Sequence, residues 1–265
     1  MSQNPDPGEG RITTEDRGRI LLMGIDRPAK LNGFTPEMSR QLAVAYTRLD
    51  EDDGLWCGVL FAHGDHFTAG LDLPMWTERM KSGERGRGSD AVDPTGLGRR
   101  CRKPIVTAVK GYTYTLGIEM MLAGDMVVAA DDCRFRQHEP LRGIHAAGGA
   151  TIRFVQRGGW GNAMYHLLTS DEFDAAEAHR IGLVQEVVPT GTELDRAIEL
   201  AEVICQGAPL AVQATKASSL RYVQDGEAAC IAALGKVQAD LAATDDAAEG
   251  VAAFRERRDP VFGGR

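Results

Sequence analysis

Two glutamates stand in surroundings that set them apart from ordinary surface carboxylates. Glu119 interrupts the small, aromatic and apolar run GYTYTLGIEMMLAGD at residues 111–125, where a charged group is costly to bury unless it is paired or used. Glu139 follows a short predicted strand and precedes Pro140, which holds it at a strand end. Each also has an ordinary interpretation. An acid in the first turn of a helix is favoured by the helix dipole, which lowers its pKa, and a strand-end glutamate is usually exposed.

Three segments place small residues at a sharp turn after an apolar strand: HGDHFTAGLDL (63–73), GYTYTLGIE (111–119) and RFRQHEPLRGIHAAGG (134–149). In the first, Ala69-Gly70 lets the backbone approach another group closely, and a helix is predicted to begin near Leu71. In the second, the first free N–H groups of a helix are expected near Leu116 and Gly117. Such N–H groups can bind an anion or an oxyanion, although a plain strand-to-helix connection would give the same pattern.

Together, these groups suit chemistry next to an acyl thioester. Two backbone N–H groups would polarise a carbonyl and hold the negative charge that develops on its oxygen. Two carboxylates would hold a water molecule and move protons. The combination is more informative than either part, because each part alone has a structural explanation.

The elements that must position these residues follow an alternating pattern. Short apolar segments predict strands at 19–26, 56–63, 103–111, 125–135 (two strands about a turn) and 183–189. Thr35 as N-cap and Pro36 at the first helical position predict a helix over 35–53, and residues 150–182 and 191–257 are predicted to be mainly helical. Strands alternating with helices predict an α/β fold with parallel pairing. Residues 81–100 are predicted to form a solvated loop or a flap over the substrate.

The composition argues against several classes of protein. With 265 residues and a net charge of −8, the chain lacks the basic footprint of a nucleic-acid binder. No apolar run approaches the ~18 residues of a membrane helix, and the polar N-terminus lacks a secretory signal. The five scattered cysteines show no C-x-x-C pair, which predicts a reduced, cytoplasmic protein.

Other chemistries fit the sequence less well. His63, Asp65 and His66 suggest a metal site, but zinc normally needs three protein ligands in a defined arrangement, and none is apparent here. Neither GLGRR nor GGWG matches a phosphate loop, and no cysteine has the basic, open setting of a nucleophile. We therefore expect no metal and no separate cofactor.

The whole chain from about residue 12 to residue 262 resembles the enoyl-CoA hydratase/isomerase (crotonase) superfamily. The matching blocks, in order, are DRPAKLNGFTPEM, GDHFTAGLDL, KPIVTAVKGYTYTLGIEMMLAGDMVVAADDCRFRQHE, LLTSDEFDAAEAHRIGLVQEVVP and GVAAFRERRDPVF. The resemblance implies a spiral of ββα turns with a C-terminal helical region, and assembly as a homotrimer or a dimer of trimers. It divides the chain into a disordered tail (1–10), a spiral core with the active site (11–195) and a helical trimerisation region (196–265).

The resemblance also implies roles for individual residues. The two oxyanion N–H groups fall on Leu71 and Leu116, and the two hydratase glutamates fall on Glu119 and Glu139. Glu119 would hold the water, and Glu139 would take and deliver the proton.

Coenzyme A would be bound by the segment before the second helix and by nearby cations. The residues implied are Ala69, Leu71, Asp72, Leu73 and Leu116, with Arg27 and Lys30 as phosphate partners and Arg257 or Arg258 contributed by a neighbouring subunit. The cations could equally be solvated surface charges. The acyl pocket could be lined by Phe67, Trp76, Met80, Tyr114 and Trp160, which could equally be plain core.

The presence of both acids favours hydration of a 2-enoyl-CoA to a 3-hydroxyacyl-CoA. Three positions depart from the usual family pattern, where Leu116 replaces glycine and His138 and Ala146 replace proline. The alternatives are another crotonase-type enzyme (isomerase, thioester hydrolase or decarboxylase) or a non-catalytic acyl-CoA-binding protein.

Overall fold

The computed structural model describes residues 8–82 and 90–265. Its larger sheet has six strands in the spatial order β1-β2-β3-β4-β6-β9. They are β1 (Arg11–Arg17), β2 (Ile20–Asp26), β3 (Cys57–Ala62), β4 (Ile105–Val109), β6 (Met126–Ala130) and β9 (Glu186–Val188). All neighbours pair in parallel except β1 with β2, which confirms the predicted α/β fold.

A smaller sheet lies beside the first and carries the strands that lead into the site. It contains β5 (Tyr112–Tyr114), β7 (Arg134–Arg136) and β8 (Phe173–Asp174) in the order β5-β7-β8. Along the chain, β4 of the larger sheet is followed directly by β5 of the smaller sheet, and β6 is followed directly by β7. This repeat of two strands before a helix is the predicted spiral of ββα turns.

Nine helices are found in the described part of the chain. They are α1 (Pro36–Glu51), α2 (Leu73–Ser82), α3 (Leu116–Ala123), α4 (Ala150–Thr169), α5 (Ala175–Arg180), α6 (Glu193–Ile204), α7 (Pro209–Asp225), α8 (Glu227–Ala242) and α9 (Asp245–Glu256). None of them is long and apolar enough to cross a membrane. The predicted start of α1 is confirmed, because the Thr35 hydroxyl accepts a hydrogen bond from the N–H of Met38 at 3.1 Å.

The larger sheet is buried on both faces, which explains why its inner strands are continuously apolar. On β2, Leu21, Met23 and Ile25 join a core shared with α1 and α3, whereas Ile20 and Leu22 join a second core against α6. The sheet is therefore fixed from both sides, and the loops at the ends of its strands inherit defined positions.

Several elements differ from the expectations. The polar segment Arg11–Arg17 was not predicted as a strand, yet it forms the antiparallel edge of the sheet, where charged residues are tolerated because one side faces solvent. The helical segment 191–257 is divided into α6–α9, with Gly226 at a φ of 85° between α7 and α8.

The predicted tail and loop fall partly outside the described residues, at 1–7 and 83–89. The last residues of the tail are held by hydrogen bonds, since the carbonyl of Gly8 accepts from Arg27 (2.9 Å) and that of Glu9 from Thr35 (3.2 Å). Within the loop, α2 continues to Ser82, and Asp93 accepts from the backbone of Leu97 (3.1 Å). The division into a core and a trimerisation region stays a prediction.

Candidate active site

Glu119 lies in the first turn of α3 and is buried, with 5% of its surface exposed. Its Oε1 accepts hydrogen bonds from the N–H of Gly148 (2.6 Å) and of Ala150 (3.3 Å). Burial raises the pKa of Glu119, against the lowering effect of these two N–H groups and of the charges of Arg153 and His145. The sequence suggested a pKa lowered by the helix dipole, and burial outweighs that effect.

Gly148 must be glycine for this arrangement to exist. A Cβ at that position would overlap the carboxylate of Glu119. The close approach of the 143–149 loop is what allows its backbone to hold one oxygen of Glu119.

Glu139 is the second buried acid, with 8% of its surface exposed, and it begins a 3-10 turn at Glu139–Arg142. Its pKa is raised to about 7, chiefly by burial and also by the charge of Glu119, while a hydrogen bond from its own backbone N–H opposes the rise. The charge of Glu119 therefore disfavours the charged form of Glu139.

The amide of Gln137 contacts the carboxylate of Glu139. Its nitrogen donates to Oε2 of Glu139 at 2.6 Å and to Oε1 at 3.0 Å. These two hydrogen bonds favour the charged form of Glu139 and oppose the effect of its burial.

The two predicted oxyanion donors belong to one hydrogen-bonded frame. The 67–70 segment pairs with β5 through Thr68, whose N–H donates to Tyr112 (3.0 Å) and whose carbonyl accepts from Tyr114 (3.0 Å). On its other side, Phe34 donates to the carbonyl of Gly70 (2.8 Å). This frame joins the segment before Leu71 to the strand that leads into α3.

Within the part of the chain that the structure describes, Leu71 and Leu116 both keep a free backbone N–H. Leu71 forms an isolated parallel bridge with Phe34. The two hydrogen bonds of this bridge are made by the residues beside Leu71: the Gly70 carbonyl accepts from Phe34, and the Asp72 N–H donates to Phe34. Leu116 is the first residue of α3, where an N–H has no partner within the helix. Across residues 8–82 and 90–265, neither N–H donates a hydrogen bond. The Leu116 side chain, which replaces the usual glycine, packs against the apolar core.

Thr115 was missed by the sequence reasoning. It has a φ of 47° and a ψ of −111° directly before Leu116, a backbone region that favours glycine and is strained for a β-branched residue. The sequence carries no signal for this conformation, because a threonine does not indicate a positive φ.

The residues implied in coenzyme A binding lie together, but some are already bonded to one another. The N–H of Ala69 donates to Leu31 (2.9 Å). Arg27 is buried, and its guanidinium donates to the Asp72 carboxylate (2.8 Å) and to the carbonyl of Gly33 (2.8 Å). Arg27 is therefore not a solvated surface charge, and its role as a phosphate partner stays a prediction.

The remaining implied cations are more accessible. Lys30 is exposed. At the C-terminus, Arg258 is paired with Glu249 (2.5 Å) and Glu256 (2.6 Å), and Arg257 is exposed. Leu73, another residue implied in binding, begins α2.

The aromatic residues proposed for the acyl pocket occupy different environments. Phe67 is fully buried core, whereas Trp160 is 70% exposed on α4. Trp76 is half-buried and donates from Nε1 to the carbonyl of Phe34 (2.8 Å), and Met80 is exposed. Tyr114 donates to Glu172 at 2.5 Å and packs edge-on to His138.

The histidines considered for a metal site have other partners. His63 bonds to the Thr13 hydroxyl at 2.9 Å, and His66 accepts from the N–H of Tyr112 at 3.1 Å. In the ranges that the structure describes, no three His, Cys, Asp or Glu side chains are grouped so that they could hold a metal ion.

The comparisons with known proteins agree with this architecture. The family model described as enoyl-CoA hydratase/isomerase matches residues 15–265. Enoyl-CoA hydratase EchA19 of Mycobacterium tuberculosis is 34% identical, over 95% of this chain and 96% of the relative. The 2,3-dehydroadipyl-CoA hydratase of Escherichia coli is 30% identical, over 93% of this chain and 96% of the relative.

A solved structure gives the same result for the fold. The crystal structure of a probable enoyl-CoA hydratase/isomerase from Mycobacterium abscessus superposes with a TM-score of 0.93 at 43% identity, covering 96% of this chain and 98% of that one. This chain therefore belongs to the enoyl-CoA hydratase/isomerase family.

Proposed function

We propose that this chain is an enoyl-CoA hydratase, which adds water across the 2,3 double bond of a 2-enoyl-CoA to give a 3-hydroxyacyl-CoA. The observation that carries the proposal is the pair of buried glutamates, Glu119 and Glu139, both with raised pKa values. Thr115, which precedes Leu116, is hydrogen-bonded to Arg136 of β7 and to Glu119. Among the described residues, the N–H groups of Leu71 and Leu116 have no acceptor.

The thioester oxygen of the substrate would lie between the N–H groups of Leu71 and Leu116. As the water oxygen bonds to C3, the π electrons of the double bond move toward the thioester, and negative charge develops on its oxygen. The two N–H groups stabilise that charge, and each such donor is worth roughly 2.7–4 kcal/mol in enzymes where one has been removed.

The environments of the two glutamates support different roles. Glu119 has Oε1 bonded to two backbone N–H groups, so its other oxygen is available to accept a hydrogen bond from the water and orient it. Glu139 has a pKa of about 7, which allows it to accept a proton near neutral pH and release it again. Glu139 takes one proton from the attacking water and delivers one to C2, so that the reaction adds one OH and one H.

No cofactor other than the coenzyme A portion of the substrate takes part in this proposal. The polar atoms that the reaction needs are two carboxylates and two backbone N–H groups, all supplied by the chain. A reduced, cytoplasmic setting fits the five free cysteines.

We also propose assembly as a homotrimer or a dimer of trimers. The C-terminal helices α7 and α8 bury almost none of their own side chains, although both carry apolar residues. Among the exposed residues in this region are Tyr222, Ile231, Leu234, Val251 and Phe254. An exposed apolar surface of this extent is typical of a protein–protein interface.

The direct test follows the enoyl-thioester absorbance of crotonyl-CoA with the wild type, Glu119→Gln and Glu139→Gln. We expect turnover by the wild type and a loss of about 100-fold or more in each variant, as for removal of a positioned proton-transfer group. Glu202→Gln is the matched control, because Glu202 is exposed on α6. Binding of crotonyl-CoA without turnover by the wild type would refute the hydratase assignment and leave the family assignment intact.

A further inference from the structure

Thr115 holds a backbone conformation that a glycine would adopt without strain. Its φ of 47° and ψ of −111° lie where a β-branched residue is a genuine outlier. The surroundings impose this conformation, because its N–H donates to the carbonyl of Arg136 (2.9 Å) and its carbonyl accepts from the N–H of Glu119 (3.2 Å). Strained residues of this kind are concentrated at functional sites.

The Thr115 side chain occupies a particular place beside the proposed oxyanion donors. A Cβ added to Gly70 would overlap the Thr115 hydroxyl oxygen, so the hydroxyl packs directly on the α-carbon of Gly70. Gly70 immediately precedes Leu71, and Thr115 immediately precedes Leu116. The hydroxyl therefore lies between the residues that lead into the two free N–H groups.

Among the described residues, this hydroxyl has no hydrogen-bond partner. In the described part of the chain, the Thr115 Oγ1 takes part in no hydrogen bond. It is not among the buried polar atoms left unsatisfied, and the residue is half-buried, so a bound molecule can reach it. A hydroxyl can turn its proton toward an acceptor that arrives with the substrate.

We propose that the Thr115 hydroxyl is a third donor to the thioester oxygen, beside the N–H groups of Leu71 and Leu116. The proposal rests on the oxyanion site described under the proposed function. A glycine at position 115 would adopt the same turn without strain. The presence of a strained threonine therefore indicates a role for its side chain. As charge develops on the thioester oxygen, the hydroxyl donates to it and strengthens the stabilisation that the two N–H groups provide.

Three substitutions separate the hydroxyl from the backbone conformation. Thr115→Ser keeps the donor, Thr115→Val keeps the shape and removes the donor, and Thr115→Gly removes both the donor and the strain. With crotonyl-CoA we expect Thr115→Ser to stay within a few-fold of the wild type in kcat. In Thr115→Val and Thr115→Gly, kcat should fall roughly 10- to 100-fold, at or below the range for one oxyanion donor, with a smaller change in KM.

The glycine variant gives the sharpest contrast between a catalytic and a structural role. Relief of the strained backbone should raise the melting temperature of Thr115→Gly while its kcat falls. If Thr115 were only a structural residue, Thr115→Gly would be more stable and fully active. Equal activity of the Val and Ser variants would likewise overturn the proposal.

A second measurement tests the hydrogen bond without turnover. Butyryl-CoA labelled with ¹³C at the thioester carbonyl is a saturated ligand, and its C=O stretch falls in frequency when donors polarise the oxygen. We expect the largest decrease in the C=O stretching frequency with the wild type and Thr115→Ser, and a smaller decrease with Thr115→Val and Thr115→Gly. A fall of equal size in all four proteins would refute the role of Thr115 alone, whereas no fall in the wild type would refute the oxyanion site itself.

Discussion

Replacing Glu139 by glutamine should stabilise the protein while it removes activity. Burial raises the pKa of Glu139 from its ordinary value of 4.5 to about 7, so the folded state holds a proton over a pH range in which the unfolded chain has lost it. By linkage, the free energy of unfolding falls as the pH rises through that range. Glutamine carries no charge at any of these pH values and avoids the loss.

The size of the effect follows from the two pKa values. A rise from 4.5 to about 7, at about 1.4 kcal/mol for each pH unit, gives roughly 3 kcal/mol. Glu139→Gln should therefore be about 3 kcal/mol more stable than the wild type at pH 8 and nearly equal to it at pH 4.5. For a chain of this length, each kcal/mol moves the melting temperature by about 2–4 °C.

The assay is thermal unfolding of both proteins at several pH values and one protein concentration, because assembly makes the melting temperature depend on concentration. The exposed-glutamate variant Glu202→Gln serves as the control and should show no such pH-dependent gain. The reasoning is refuted if the stability difference between Glu139→Gln and the wild type is the same at pH 5 and pH 8. That result would mean that Glu139 is charged at little cost and has an ordinary pKa.

Three further predictions concern the same site and the assembly. The kcat/KM of the wild type should fall about tenfold for each pH unit below about 7, as Glu139 becomes protonated. Gly148→Ala should lose activity as Glu119→Gln does, because its Cβ displaces the Glu119 carboxylate. Gly235→Ala, which has open space around it within α8, should keep its activity and unfold at a slightly higher temperature, because alanine favours a helix interior. Phe254→Asp should reduce the assembled mass measured by sedimentation, since this side chain is 85% exposed within one chain, and an unchanged mass would place Phe254 outside the interface.

The features that the sequence predicted well are those set by neighbouring residues. Thr35 and Pro36 mark the start of α1 within the sequence itself, and the structure confirms that start. Glu119 was placed in the first turn of a helix because Gly111 marks the turn before it and the helix was expected to begin near Leu116, where α3 does begin. Capping and turn formation act over a few residues, so their signals survive in a short stretch of sequence.

The features that could not be predicted from the sequence depend on contacts between residues far apart in the chain. Arg27 and Asp72 are 45 residues apart, yet they form an ion pair of 2.8 Å. The strain at Thr115 is imposed by the carbonyl of Arg136 and by the close approach of Gly70. The polar strand β1 is stable only because β2 offers it a partner. In each case the packed fold, rather than local preference, decides the outcome.

The fold gives two chemically identical side chains different surroundings, and the proposed function assigns them different tasks for that reason. Both glutamates are buried, but only Glu119 has an oxygen held by two backbone N–H groups of the 148–150 loop, with the charge of Arg153 nearby. These contacts fix its orientation and oppose the rise in its pKa. Glu139 instead accepts hydrogen bonds from the side-chain amide of Gln137, and its pKa is raised to about 7. In the proposed hydration, the acid that is held by backbone N–H groups positions the water, and the acid with the pKa of about 7 exchanges the proton.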